Sequence, residues 1–307
     1  MDSITHGISA WILSILLGIP ELAPFFVIGS VVPDADVLFG GLSDHDPRLY
    51  ILSHGGFTHS LVGAASVTIL AGCAISVIAF VAPVHIVPPH PSMPLVLLSL
   101  LVGAMLHISL DLLAYPGIPL LYPYTDAKYT LGIFPGPSMV IMVFSLFYAV
   151  SSFIRSAWSE YLGYYLLTTI LFILLSAGLK AMILVRENGI SIPTFNPFRW
   201  LNIQDTGDRY LVRVLSLPGG ENGTWVYEKW RGITRHEVEM FGKVPEVARH
   251  RYFSYISVVS REGDRIEFSD PIRQNGLIFY PTGYRHLAFE WSGGRLVPAP
   301  SDPHSGI

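Results

Sequence analysis

From Leu61 to Pro83 the chain carries no Asp, Glu, Lys or Arg. About 20 apolar residues, rising 1.5 Å each, cross the roughly 30 Å hydrocarbon core of a bilayer, so this stretch predicts a membrane-spanning helix. Three more segments follow it. Leu95–Tyr115 is apolar except for His107 and Asp111, Pro137–Ile154 is slightly short but uncharged, and Tyr161–Val185 holds only Lys180, close enough to its end to snorkel. Composition agrees. Hydrophobic residues make up 51% and charged residues 14%, where a soluble domain carries about 25% charge.

The apolar character stops partway. Residues 1–186 hold five of the 19 Lys+Arg and nine of the 23 Asp+Glu, leaving fourteen of each to residues 187–307. The first part reads as membrane-embedded and the second as soluble. A net charge of −4 gives no reason to expect direct nucleic-acid binding. The single cysteine, Cys73, excludes a disulfide framework or a cysteine-based zinc site within one chain. The start, MDSITHG, lacks the basic flank of a cleaved signal peptide.

Ahead of the spans, Ile8–Ile19 and Leu22–Val32 are each too short to cross and are split by Pro20-Glu21. They predict two half-length helices in a hairpin that dips into the membrane or packs on the other helices. Beyond about Asn196, short alternating or β-branched runs follow. They are Arg209–Leu217, Thr224–Trp230, Tyr255–Ser260, Arg265–Asp270 and His286–Trp291, separated by glycine-containing turns, with a short helix over Arg235–Glu246. The expected architecture is an α-helical integral membrane domain, with a re-entrant or short N-terminal helix pair plus about four transmembrane helices, followed by a small antiparallel β domain. The boundaries are 1–190 for the membrane domain, 191–300 for the β domain and 301–307 for a disordered tail.

Four polar clusters interrupt the apolar region: Thr5-His6-Gly7, Pro33-Asp34-Ala35-Asp36, His54–Ser60 and His107-x-x-x-Asp111. Tracing the spans back and forth returns the last two to one membrane face, which the first two share if the N-terminal pair is a re-entrant hairpin, with His85 and His90 on the other. His107 and Asp111, at i and i+4, share one helix face and can grip one ion; a polar pair between helices is the other reading. His54 and His59 suit a turning segment freed by Gly55-Gly56, though Thr58 or Ser60 capping a helix beside bystander histidines is also open. Asp34 and Asp36 either bridge or share a divalent ion or favour a helix start through its dipole. Asp44-His45-Asp46 reads as a solvated turn. Imidazole plus carboxylate suits Zn²⁺, Mn²⁺ or Fe, and paired metals recur in phosphoester hydrolysis. Arg48, Lys128 and Arg186 flank the site side against Arg155 on the other, a three-to-one margin for a cytoplasmic site and C-terminal domain.

Taken in order, Thr5-His6, Pro33-Asp34-Ala35-Asp36, His54-Gly55-Gly56-x-Thr58-His59-Ser60, Gly103-x3-His107-x3-Asp111 and Tyr122-Pro123 resemble the YdjM-like family of membrane-bound metal-dependent hydrolases, some described as LexA-binding and inner-membrane-associated. The resemblance covers roughly residues 1–135. It departs at His54-Gly55-Gly56, where the family commonly carries His-Arg-Gly; Arg48 or Lys128 is then left to meet an anionic substrate. The resemblance implies hydrolysis in the inner membrane.

The expectation is therefore an enzyme. It is a membrane-bound metal-dependent hydrolase, acting on a phosphoester of a lipid or amphiphile through metal-activated water. His6, Asp34, Asp36, His54, His59, His107 and Asp111 form the metal shell, Asp34 or Asp36 acts as base, and the cofactor is one or two divalent ions, zinc before manganese or iron. The alternatives are a non-catalytic scaffold or regulator with a structural metal and a partner-binding β domain, and a metal or proton transporter, which the one-sided clustering disfavours.

Overall fold

The computed structural model describes residues 2–81, 91–155, 158–217, 219–274, 286–292 and 295–299. His85, His90 and the expected tail 301–307 lie outside the described residues. The chain divides into two compact units, Met1–His45 with Leu49–Met182, and Asp46–Arg48 with Ile183–Ile307.

In the first unit, α1 (Ser3–Leu16) starts at Asp2, whose carboxylate accepts the Thr5 N–H. Gly18, at φ +73°, turns the chain back in a left-handed conformation suited to glycine. After a 3-10 turn over Pro20–Leu22, α2 (Ala23–Val31) runs antiparallel to α1. Pro33 has no N–H, and the helix tightens to 3-10 over Val32–Phe39 before the short α3 (Leu42–His45). A 3-10 turn over Phe57–His59 leads into α4 (Leu61–Val81). Then come α5 (Met93–Asp111), a short parallel pair β1 (Ala114–Tyr115) and β2 (Phe134–Pro135), α6 (Met139–Arg155) and α7 (Trp158–Arg186).

The α1–α2 hairpin packs on α5 through Ala10, Leu22, Phe25, Phe26, Val96 and Leu100. Two glycines let the backbones of α2 and α5 nearly touch: a Cβ on Gly29 would run into the Leu100 carbonyl, and one on Gly103 into the Phe26 carbonyl. Tyr148 of α6 and Tyr165 of α7 close on Ile12 of α1. Outward faces stay apolar and uncovered, as at Leu70, Phe80 and Leu174, the pattern a lipid surround requires.

Among the described residues, four helical runs are long and apolar enough to cross a membrane: Pro20–His45, Leu61–Val81, Met93–Asp111 and Tyr161–Arg186. This differs from the sequence expectation at two points. Pro20–His45 qualifies because 3-10 turns extend α2 at both ends, where the proline breaks suggested a half-length helix. The segment expected over Pro137–Ile154 forms a helix of 17 residues, shorter than those four.

The second unit is mostly antiparallel sheet. Strands β3 (Ile190–Pro193), β4 (Arg199–Asp205), β5 (Arg209–Ser216) and β6 (Glu221–Glu228) form one four-stranded antiparallel sheet in chain order. The other holds β7 (Trp230–Arg231), β8 (Val258–Glu262), β9 (Arg265–Ser269), β10 (His286–Ser292) and β11 (Arg295–Pro298) in the order β11-β10-β9-β8-β7. Its β7–β8 pair is parallel, so the domain is not purely antiparallel. The expected helix over Arg235–Glu246 is instead two, α8 (Arg235–Phe241) and α9 (Pro245–Phe253), followed later by α10 (Pro271–Gln274). A Thr234–Glu237 capping box starts α8, Gly242 ends it, and Pro245 opens α9 at a position where its missing N–H costs nothing.

Candidate metal centre

Each predicted side chain arrives from a different stretch of unit one. His6 comes from the first turns of α1, Asp34 and Asp36 from the 3-10 continuation of α2, His54 and His59 from the segment before α4, and His107 and Asp111 from the end of α5. The structure brings all seven together. Three groups lie close enough to hold an ion: His6, His107 and Asp111; Asp34, His59 and His107; and Asp36, His54 and His59. His107 links the first two groups and His59 the last two. Asp44 and His45 do not join them.

Five of the seven are linked by short side-chain contacts. His6 Nε2 is 3.2 Å from Asp111 Oδ1. His107 Nε2 lies 3.3 Å from Asp111 Oδ2 and 3.6 Å from Asp34 Oδ1. His59 Nε2 lies 3.3 Å from Asp34 Oδ1 and 3.4 Å from Asp111 Oδ2. The rings of His6 and His107 stack at 3.7 Å. His6 and His107 are fully buried, yet among the described residues their Nε2 atoms make no hydrogen bond of good geometry, only these carboxylate contacts. A buried nitrogen without a well-aligned hydrogen bond is costly. A divalent cation satisfies both nitrogens and balances the Asp34 and Asp111 carboxylates, so the donor set fits a metal ion.

The outer contacts fix which atoms face inward. His107 Nδ1 donates to the Ser30 carbonyl at 2.6 Å, which leaves Nε2 free for the cluster. That bond exists because Gly103 and Gly29 let α5 lie against α2. Ser3 Oγ donates to Asp34 Oδ2 at 2.5 Å, so Oδ1 is the oxygen turned inward.

Asp36 differs from the other acids. Its Oδ1 is 2.8 Å from His54 Nδ1, and its Oδ2 accepts from Thr58 Oγ1 at 2.5 Å and Gly55 N–H at 3.1 Å, with His59 Nδ1 at 3.2 Å. Asp36 thus holds two imidazoles by the nitrogens opposite those aimed outward or into the cluster. Gly55, at φ +76°, directs its N–H to Asp36; an Arg there would be strained in that conformation. A Cβ on Gly56 would meet the Ile51 carbonyl. The two glycines therefore shape the turn. His54 is the accessible member, its side chain 55% exposed, while the other six side chains are at most 10% exposed.

Burial opposes charging His59, but its hydrogen bonds to Asp34 and Asp36 and the charges of Asp111 and Asp36 win, raising its pKa to about 9. Sequence reasoning missed Ser3 and Ser30, and it read Thr58 as a motif position or helix cap without its bond to Asp36. Ser3 sits beside a motif position in the chain, whereas the Ser30 carbonyl is a backbone group with no residue-type signature.

Among known families, the model described as YdjM inner membrane protein matches residues 1–184. No curated protein and no solved structure matches the chain.

Proposed function

The chain belongs to the YdjM inner membrane protein family, and from that premise we propose that it is a membrane-bound, metal-dependent hydrolase of phosphoesters carried by a lipid or amphiphile. The observation that carries the reading is the pair of fully buried Nε2 atoms of His6 and His107, which make no well-aligned hydrogen bond yet both lie against Asp111, with His107 also against Asp34. His6, Asp34, His59, His107 and Asp111 would hold the ion, zinc before manganese or iron, with His54 at the entrance. Bound there, a divalent ion supplies Lewis acidity toward the ester and makes water a stronger acid.

The chain's own groups do the rest. Asp36 orients His54 through Nδ1, so that the other ring nitrogen faces outward and can take up or return a proton. Asp36 also holds the His59 ring, and Ser3 holds Asp34 with one oxygen inward. The exposed apolar ridge of Val37, Leu38 and Phe39, next to Asp36 in sequence, suits an amphiphile arriving from the bilayer. The basic residues flanking the helices, three to one, favour the cytoplasmic side for the site and the C-terminal domain.

The test combines metal analysis of purified protein with a panel of phosphate esters of short-chain and long-chain alcohols. Stoichiometric zinc and turnover in wild type, with zinc lost in His107→Ala and turnover lost with zinc retained in His54→Ala, supports the proposal. Retained zinc without turnover on any ester turns the reading toward a structural metal in a scaffold.

A further inference from the structure

The C-terminal unit holds a second constellation that the metal centre does not use. Two adjoining cavities of about 330 and 390 Å³ share Lys229, Trp230, Val238 and Arg251 as lining. Their walls come from both sheets and from α8 and α9, so the groove is built by long-range packing and not by one loop.

Its charges do not balance. Lys229 Nζ, on a side chain 11% exposed, lies 2.6 Å from Asp205 and 4.6 Å from the centre of the Tyr210 ring. Arg235 pairs with Glu239 at 2.7 Å and lies over the Trp230 ring. These pairs cancel and leave Arg251 as the excess cation. Arg251 donates one hydrogen bond, from Nη2 to the Val238 carbonyl at 2.9 Å. Among the described residues no carboxylate comes within ion-pair distance of it. Burial holds its pKa below the ordinary guanidinium value, against the charges of Tyr210 and Glu239. A guanidinium presents five N–H donors in a planar fork matched to carboxylate or phosphate, and partly burying one without an anion is unfavourable. A second observation points into the same cavity: the buried Ser257 Oγ, on its lining, has no hydrogen-bond partner among the described residues.

We propose that this groove binds a small organic oxyanion, its anionic group on Arg251 and Ser257 beside Lys229 and its body against Trp230 and Tyr210. The volume suits a small molecule. The inference is independent of the metal centre, because all of its residues lie in the C-terminal unit.

The test titrates inorganic phosphate and phenyl phosphate into full-length, metal-stripped protein in detergent, at constant ionic strength, by calorimetry. Both bind wild type, phenyl phosphate more tightly. Arg251→Gln weakens both by about tenfold or more, the scale of a charge-assisted hydrogen bond. Arg251→Lys, which keeps the charge and loses the fork, falls between, and serves where the glutamine variant does not fold. Trp230→Leu erases the preference for phenyl phosphate while retaining phosphate binding. Absence of binding to wild type overturns the proposal. So does unchanged affinity in folded Arg251→Gln, and so does binding that appears only after zinc is restored, which would assign it to the metal centre.

Discussion

His59 sits among Asp34, Asp36 and Asp111, and without an ion those carboxylates keep a proton on its ring up to a pKa of about 9. A ligating imidazole must give that proton up. Zinc binding should therefore release protons, and apparent affinity should fall by up to about tenfold for each pH unit below 9, as a competing chelator titration across pH would read. The sign for metal-free stability is opposite. A histidine with a raised folded pKa contributes stability that is fully present below its unfolded value of 6.5 and is lost as pH rises through about 9. Unfolding of metal-stripped protein across that window checks it. Asp36 supports a different prediction. Because its oxygens hold His54 and His59 by their far nitrogens, Asp36→Asn should keep the metal stoichiometry while weakening affinity about 10–100-fold; outright loss of the ion would make Asp36 a ligand instead. The His107–Asp111 pair was legible in the sequence because i, i+4 spacing on an apolar helix leaves few other uses for an ionisable pair. The division of labour among the three acids was not legible, since it depends on which oxygen faces which ring nitrogen.

Helix pairing sets where those rings arrive. His107 reaches the Ser30 carbonyl only because α5 crosses α2 at Gly29 and Gly103, with no side chain between the backbones. A methyl at Gly103 must displace the Phe26 carbonyl or the Ser30 amide. Gly103→Ala should lower stability by about 1–3 kcal/mol, the scale of overpacking, and reduce metal content by moving Ser30 off His107. Gly178→Ala is the control: nothing lies within 4 Å of its added methyl in the interior of α7, so it should not destabilise, and helix propensity should add up to about 1 kcal/mol in thermal unfolding. Apolar length made the helices readable, and Pro20, Pro33 and Gly242 marked breaks. What those breaks produce was harder to read. Pro33 bends α2 into a 3-10 continuation that keeps the run going, because a proline removes one hydrogen bond without forcing the chain out of helical dihedrals. The parallel β7–β8 pair joins Trp230 to Val259 across two intervening helices, and no local pattern encodes a partner that far along the chain.

At the level of the whole chain, composition separates the two units clearly, since charged residues concentrate after residue 186 and the apolar spans end there. The units also separate the chemistry. Every residue of the candidate metal centre lies between His6 and Asp111, inside unit one, while the lining of the proposed oxyanion groove lies between Asp205 and Val259, inside unit two. The contacts that orient the candidate ligands, from Ser3, Ser30, Gly55 and Thr58, are internal to unit one as well. A chain ending after Arg186, where α7 closes, retains every one of those contacts. It should therefore bind zinc with the stoichiometry of the full-length protein, and chelation should lower its thermal midpoint by a similar amount, because a ligand that binds only the folded state stabilises it according to its own affinity. Metal analysis and paired unfolding curves of the two lengths measure this directly. Equal zinc content with equal midpoint shifts makes the membrane unit a self-sufficient metal centre. A shortened chain that folds and loses its zinc would mean that the C-terminal unit completes the centre, and the ligand set would have to be redrawn to include it.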